Sequence, residues 1–425
     1  MARFRKRAAK SGEAAALPRE NQHTIFERMD TFARRAEAPD PSGPAAVLFC
    51  TVLALMGFGL LMQASHAATT LGPEGFRAAL QSQVLFRVGA LALLLVAYRV
   101  GPSGLRRFLP ALFVLTTVCL ILVYIPGFAA AKNGAHRWLQ IPGTGISFQP
   151  SELARVVMIL WIADRCMKLG SRVRNMRTGV LPMLFTGLAL CGSILLEPDF
   201  GGAMLFLISF TATMWVGGAR PVHVAGSLVG FGGVAILVAA GFLSHVRRRI
   251  EMWLGDAHNT QVDDTAHAVA SGDWLGVGYG QGLFRNARVP YLESDYVFAL
   301  VGEELGLFGL LVVVGLFALF VWSALRLVLS IRDRYRALCA FGLLLSIGMQ
   351  AMLHMQVVTR LAPPKGMTLP FISHGGTALM VSSLAVGLAL GAARSSTPRP
   401  VRGRDEEFAP VASSASSSSS DASFA

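Results

Sequence analysis

Charge is scarce in this chain. Of its 425 residues only 15% are Asp, Glu, Lys or Arg, and the 25 acidic residues fall short of the 38 basic ones. So few charges cannot solubilise a water-borne domain of this length, and a mean hydropathy of +0.53 points the same way. Cysteine is sparse too. Cys50, Cys119, Cys166, Cys191 and Cys339 lie in or at the end of apolar stretches with no CxxC pattern. They read as small packing residues, with no disulfide framework and no thiolate metal site. The N-terminus lacks a short basic region followed by an apolar core and a small-residue cleavage site. No signal peptide is therefore expected, and the first apolar stretch must direct insertion.

What is abundant is apolar sequence in uninterrupted blocks. A hydrocarbon core about 30 Å thick needs roughly 20 apolar residues per helix, and such blocks recur near 44–63, 84–101, 108–130, 150–167, 180–197, 200–218, 222–244, 297–325, 337–360 and 374–394. The expectation is an all-α integral membrane protein of about ten transmembrane helices. Basic residues orient it, because short loops rich in Lys and Arg stay in the cytoplasm. Arg99, Arg106 and Arg107 follow the second block; Arg165, Lys168, Arg172, Arg174 and Arg177 the fourth; Arg326, Arg332, Arg334 and Arg336 the eighth. These loops alternate as an even-numbered topology requires, and both basic termini fall on the same, cytoplasmic side. The net charge of +13 thus reads as topology and contact with anionic membrane lipids, and nucleic acid is not needed to explain it.

Residues 1–43 and 395–425 have the composition of disordered cytoplasmic tails, the second rich in serine. Between them lies one membrane domain, 44–394. Two of its extracytoplasmic loops exceed a tight connection, about 131–149 and, between the seventh and eighth helices, about 245–296. Fifty residues with little apolar character are long enough to carry function.

Polar residues at the rim of membrane helices are costly and mark functional sites, and four clusters qualify. Gly134 to Leu139 contributes Arg137 and Trp138. Just beyond, Gln149, Pro150, Ser151, Glu152 and Arg155 open the fourth block. Pro150 suits a first helical turn and Glu152 the positive end of the dipole. Arg155, three residues on, can pair with Glu152 as a structural ion pair, or join Arg137 in binding an anion. In the second cluster, Glu197 and Asp199 flank Pro198, a pair suited either to acid–base chemistry or simply to a watery turn. In the third, Arg247, Arg248 and Arg249 break the positive-inside rule as if a phosphate held them outside. Gln261 and a run of glycines lead on to Asp295, which is either an N-cap or a base whose pKa burial raises. The fourth, Pro363 to Thr377, holds Lys365, Ser373 and His374 in a short rigid turn that is either substrate wall or scaffold.

The segments GAHRWLQIPGTGISFQPSELAR, LLEPDFGGAMLF, ASGDWLGVGYGQG, SDYVFALVGEELG and PKGMTLPFISHGG, in that order, resemble the SEDS family of bacterial cell-wall polymerases (shape, elongation, division and sporulation), and the stretch from Lys365 to Phe371 looks more like its division branch. The resemblance implies a peptidoglycan glycosyltransferase that joins lipid II, a disaccharide-pentapeptide on undecaprenyl pyrophosphate, into glycan strands at the outer face of the cytoplasmic membrane. It implies as partners a class B penicillin-binding protein and other membrane proteins of the division machinery. The family's essential aspartate falls on Asp295. Arg155, His374 and Thr377 stand where the family usually has Lys, Tyr and Ser, and His354 and Arg360 where it commonly has Asn and Gly.

An inverting transfer needs one base, assigned to Asp295, and charge to stabilise the departing pyrophosphate. Arg137, Arg248, Arg249 and Lys365 are candidates for that charge. Trp138, Gln149, Glu152, Arg155, Gln261 and Ser373 are further candidate substrate-binding residues. A divalent cation such as Mg2+ or Mn2+ is another source of positive charge, although no metal-ligand spacing marks a site for it. Two readings from other classes stand beside the enzyme: a lipid II flippase, which needs a polar path and no base, and a scaffold that recruits the transpeptidase.

The topology is testable in a cysteine-free background of intact cells. An impermeant thiol reagent should label Arg285→Cys and spare Arg174→Cys, and the reverse pattern would invert the orientation.

Overall fold

The computed structural model describes residues 40–125, 129–132, 135–140, 147–197, 199–242, 260–282, 292–363 and 365–394; both predicted tails lie almost wholly outside them. Each apolar block becomes a helix, since in hydrocarbon a helix satisfies every backbone group internally. In chain order these are α1 (Ser42–Thr70), α2 (Pro73–Leu105), α3 (Leu109–Leu122), α4 (Pro150–Leu169), α5 (Leu181–Leu196), α6 (Phe200–Val216) and α7 (Pro221–Phe242). After the long loop's own α8 (Thr260–Ser271) and α9 (Leu292–Asp295) come α10 (Val297–Ser330), α11 (Arg334–Val358) and α12 (Gly376–Arg394). Among the described residues six stretches are long and apolar enough to cross a membrane by length and composition alone, the first two running Ser42–Thr70 and Pro73–Leu122.

Helix α12 sits at the centre, buried from Thr377 to Ala393. Its glycines make that possible. A Cβ on Gly387 would lie 2.3 Å from the carbonyl oxygen of Leu94, and one on Gly391 2.6 Å from that of Tyr98, so α2 lies backbone to backbone against α12, as small residues allow in membranes. On the cytoplasmic side Asp164 closes the bundle, taking Arg106 Nε at 2.7 Å and Lys168 Nζ at 2.6 Å.

Two features go beyond what the sequence led one to expect. The third apolar block stops as a helix at Leu122, and the chain then forms a three-stranded antiparallel sheet, β1 (Ala129–Lys132), β2 (Ala135–Gln140) and β3 (Ser147–Phe148). The membrane body is all-α as expected, and this small sheet is added to it. The small Ala129-Ala130-Ala131 run reads as a helix by composition, but pairing with β2 wins: Ala129 faces Leu139 and Ala130 faces Trp138. The second is the structure of residues 260–282 in the loop before α10. It carries α8, and residues 272–282 wrap onto α10 where Gly306 breaks the helix (φ +64°, ψ −159°). The break frees backbone groups, and the loop takes them up: Leu307 N–H donates to Asp273 O at 2.9 Å, Phe308 N–H to Trp274 O at 3.2 Å, and Val277 N–H to Glu303 O at 2.9 Å.

Gly276 is required there. Its φ is +81° and a Cβ would fall 2.1 Å from Glu304 O, whereas Gly280, at φ +80°, has open space around it. Both Gly276→Ala and Gly280→Ala should destabilise by the strain of a left-handed non-glycine, about 1–3 kcal/mol. Gly276→Ala should lose more, because backbone must also move. Thermal unfolding in detergent measures the difference, and equal losses would remove the close packing from the account.

Candidate active site at the extracytoplasmic end

Three irregular segments converge at the outer end of the bundle: the approach to α4, the turn between α5 and α6, and residues 359–375 between α11 and α12. Short α9 is laid across the last of these. Ser373 Oγ donates to Ser294 O at 2.6 Å and accepts from Leu369 N–H at 2.7 Å, while His374 N–H donates to Glu293 O at 2.9 Å. The predicted Ser373 is therefore a strut that sets the position of the neighbouring Asp295.

Asp295 ends α9 and is partly exposed. The N-cap position of α10 belongs to Tyr296. The Asp295 carboxylate lies over Gly366, where a Cβ would come within 2.8 Å of Oδ2, and the next residue back is Lys365. The predicted carboxylate thus lies over the turn that carries the predicted lysine.

Lys365 is buried, its stem against Gly201 and its Nζ 3.9 Å from Met204 Sδ. Burial pulls its pKa down to about 8, with the negative charge of Asp199 opposing. Asp199 itself is held as the N-cap of α6, accepting from Gly202 N–H at 3.0 Å. The predicted Gln149 donates to Asp199 Oδ2 at 3.1 Å, which ties the approach to α4 to this turn. Glu197 is fully buried, and neither carboxylate oxygen has a hydrogen-bond partner. Burial and then Asp199 push its pKa up to about 8, with Arg137 pulling back. Arg137 sits on β2 and donates from Nε to the Glu197 carbonyl at 3.1 Å, so it closes over this acidic turn.

The expected contact between Glu152 and Arg155 is not made. Among the described residues no ion pair joins them; Arg155 Nη2 instead donates to Gln350 Oε1 at 2.9 Å, and Gln350 Nε2 donates onward to Thr368 O at 3.0 Å. A guanidinium reaches further than the usual lysine ammonium, far enough to bridge α4 and α11. The other departures also have partners. His354 Nδ1 lies 2.7 Å from Met367 O, His374 Nδ1 lies 2.8 Å from Gln83 Nε2, Thr377 Oγ1 donates to Ser147 O at 3.0 Å, and Arg360 pairs with Asp263 on α8.

Trp138 lies on β2, partly exposed. Gln261 is on α8 but its side chain lies outside what is described, and Arg248 and Arg249 lie outside the described residues altogether. Gln350 and Thr368 were missed as site residues. Gln350, in the ninth apolar block with His354 and Gln356, was the available signal, since an intramembrane polar residue marks a functional site. Among the described residues no group of three or more His, Cys, Asp or Glu side chains is arranged to hold a metal ion.

A protein-family model described as FTSW_RODA_SPOVE, cell cycle protein, matches residues 45–397. The chain is 30% identical over 368 residues to the probable peptidoglycan glycosyltransferase FtsW of Trichlorobacter lovleyi, covering 84% of this chain and 95% of that one. It is 34% identical over 359 residues to the protein of the same name from Alkalilimnicola ehrlichii, covering 81% and 87%. Among solved structures it is similar to the rod shape determining protein RodA of Thermus thermophilus, with TM-score 0.61, 25% identity and coverage of 82% and 96%. A chain from a peptidoglycan synthase complex described as coordinating polymerization and crosslinking matches with TM-score 0.68 and coverage of 83% and 98%. At 23% identity, that likeness bears on the fold alone.

If the Lys365 charge is used by the site, activity should follow its titration. The ammonium is charged below about 8 and neutral above it, so turnover should fall as pH rises through that value. Lys365→Arg, charged throughout, should flatten the fall. The check is a pH–rate profile of glycan polymerisation across about two pH units centred there; identical profiles for the two proteins would remove Lys365 from the charge balance.

Proposed function

The chain belongs to the FtsW, RodA and SpoVE family of cell cycle proteins, and from that premise we propose that it is a peptidoglycan glycosyltransferase polymerising lipid II at the outer face of the cytoplasmic membrane, for the septal wall of dividing cells. In the reaction, the acceptor GlcNAc 4-hydroxyl attacks the anomeric carbon of a donor sugar α-linked to undecaprenyl pyrophosphate. The C1–O bond to pyrophosphate breaks as the new C1–O4 bond forms from the opposite face, giving the β linkage. The hydroxyl proton passes to Asp295, and undecaprenyl pyrophosphate leaves with the bonding electrons.

The observation that carries this reading is the Asp295 carboxylate over Gly366, one residue from a buried lysine whose Nζ faces a thioether. A carboxylate over the turn and a cation on it suit attack and departure at a single carbon. Glu197 fits the base role less well, because with its pKa raised to about 8 it holds its proton at neutral pH. Arg137, over the Glu197–Asp199 turn, is a second cation for the diphosphate. A class B penicillin-binding protein is the expected partner, to crosslink the emerging strand. As a flippase the chain would need alternating access and no base; as a scaffold it would need no chemistry at all.

Asp295→Asn separates these readings, since an isosteric amide keeps shape and insertion while loss of a general base costs about 10²–10⁴-fold in rate. The purified variant should accumulate in membranes, bind lipid II and its partner as wild type does, and make almost no polymer from labelled lipid II on a strand-resolving gel. A flippase or scaffold would make none even as wild type. Polymer from the variant at more than about a tenth of the wild-type rate would move the base elsewhere.

A further inference from the structure

The loop that leads toward Asp295 presents an apolar face. In the wrap around α10, Trp274 is 70% and Leu275 82% exposed, with Val277 and Tyr279 exposed beside them. Four such side chains within six residues, on an extracytoplasmic loop, form a patch that water alone does not explain.

The helix it is bonded to gives its depth. From Leu307 to Ser330, α10 runs about 36 Å at about 1.5 Å per residue, a full crossing of a hydrocarbon core about 30 Å thick. Ser330 meets the cytoplasmic Arg332 and Arg334, so Leu307 lies at the outer boundary. The hydrogen bonds from Leu307 and Phe308 to Asp273 and Trp274, and from Val277 and Gly278 to Glu303 and Glu304, hold the loop at that level. Its apolar side chains are also continuous with the outward faces of two membrane helices. Phe308 and Leu311 of α10 are exposed, as is Leu61 of α1, whose carbonyl accepts from Tyr279 Oη at 2.6 Å. Trp and Tyr are the residues that settle at a membrane–water interface.

We propose that residues 273–279 are a membrane-contact element, seated in the outer leaflet at the boundary between acyl chains and headgroups, with Trp274, Leu275 and Val277 in lipid and Tyr279 anchored to α1. Two consequences follow. The freed carbonyls and amides of the α10 break are capped by protein backbone where water is thinning and an unpaired group is expensive. The loop also fixes the height of the extracytoplasmic site at the plane where any lipid-linked phosphate lies. The occupant of the patch is lipid, because the surface it extends is the lipid-facing surface of α1 and α10.

Full-length protein in phosphatidylglycerol–phosphatidylethanolamine vesicles tests this with nitroxides at Leu275→Cys, Leu311→Cys and Ala270→Cys, in a cysteine-free background. A label at 275 should resemble that at 311, with several-fold more broadening by oxygen than by a water-soluble nickel chelate; the exposed position 270 on α8 should show the reverse. A label at 275 open to the chelate like that at 270 would overturn the proposal in favour of water. Shielding from both reagents would overturn it in favour of a covering protein, whether a second copy or a partner. Native tryptophan gives an independent reading free of cysteine changes: lipids brominated near the glycerol end of the chain should quench wild type more than Trp274→Phe, and equal quenching would also sink the idea.

Discussion

Irregular backbone buried among membrane helices must find a partner for nearly every N–H and C=O, and the turn between α11 and α12 depends on this. No helix or strand serves residues 363–375, so side chains do: Gln350 and His354 from α11 meet the carbonyls of Thr368 and Met367, Gln63 from α1 meets that of Ile372, and Ser373 takes the amide of Leu369. Each contact would be modest in water, but a buried group left unpaired costs roughly 1–3 kcal/mol. Gln63 of α1 and Gln350 and His354 of α11 are thus explained by the turn. The turn in turn carries Lys365 and supports α9, and so the site inherits its geometry from backbone satisfaction.

The same constraint operates at the α10 break. Gly306 interrupts the ladder, and the loop from Asp273 to Gly278 supplies the missing partners, at the cost of conformations that only glycine adopts easily. A carboxylate at the end of a short helix could drift; Asp295 rests on a strut from Ser373 to its neighbour Ser294 and a clearance left by Gly366. Such positioning matters because misplacement by about 1 Å can cost roughly 100-fold in rate.

Much of this was legible in the residues. Apolar blocks separated by basic loops specify a multi-pass helical membrane body and its direction, because length and charge are local properties of a segment. Pro150 at the first turn of α4 was readable for the same reason. The partners were not. Glu152 and Arg155 share a helix, which makes their pairing look favourable, yet Arg155 bonds to a glutamine 195 positions away; only the packing of α4 on α11 reveals that. The sheet over 129–148 was hidden because alanines carry no strand signal of their own and the pairing is tertiary. The wrap of 272–282 was hidden because its glycines spell flexibility until a second backbone is placed against them.

The departures from the family pattern bear on whether the site is intact. Had Arg155, His354, Arg360 and His374 been tolerated damage, one would expect these four side chains to make no contacts around the turn. Arg155 has Gln350, His354 has the Met367 carbonyl, Arg360 has Asp263, and His374 has Gln83, itself held by Arg87 at 2.7 Å. These side chains brace the turn by longer or different reach, while Lys365 and Gly366 stay on it and the Asp295 carboxylate stays over Gly366.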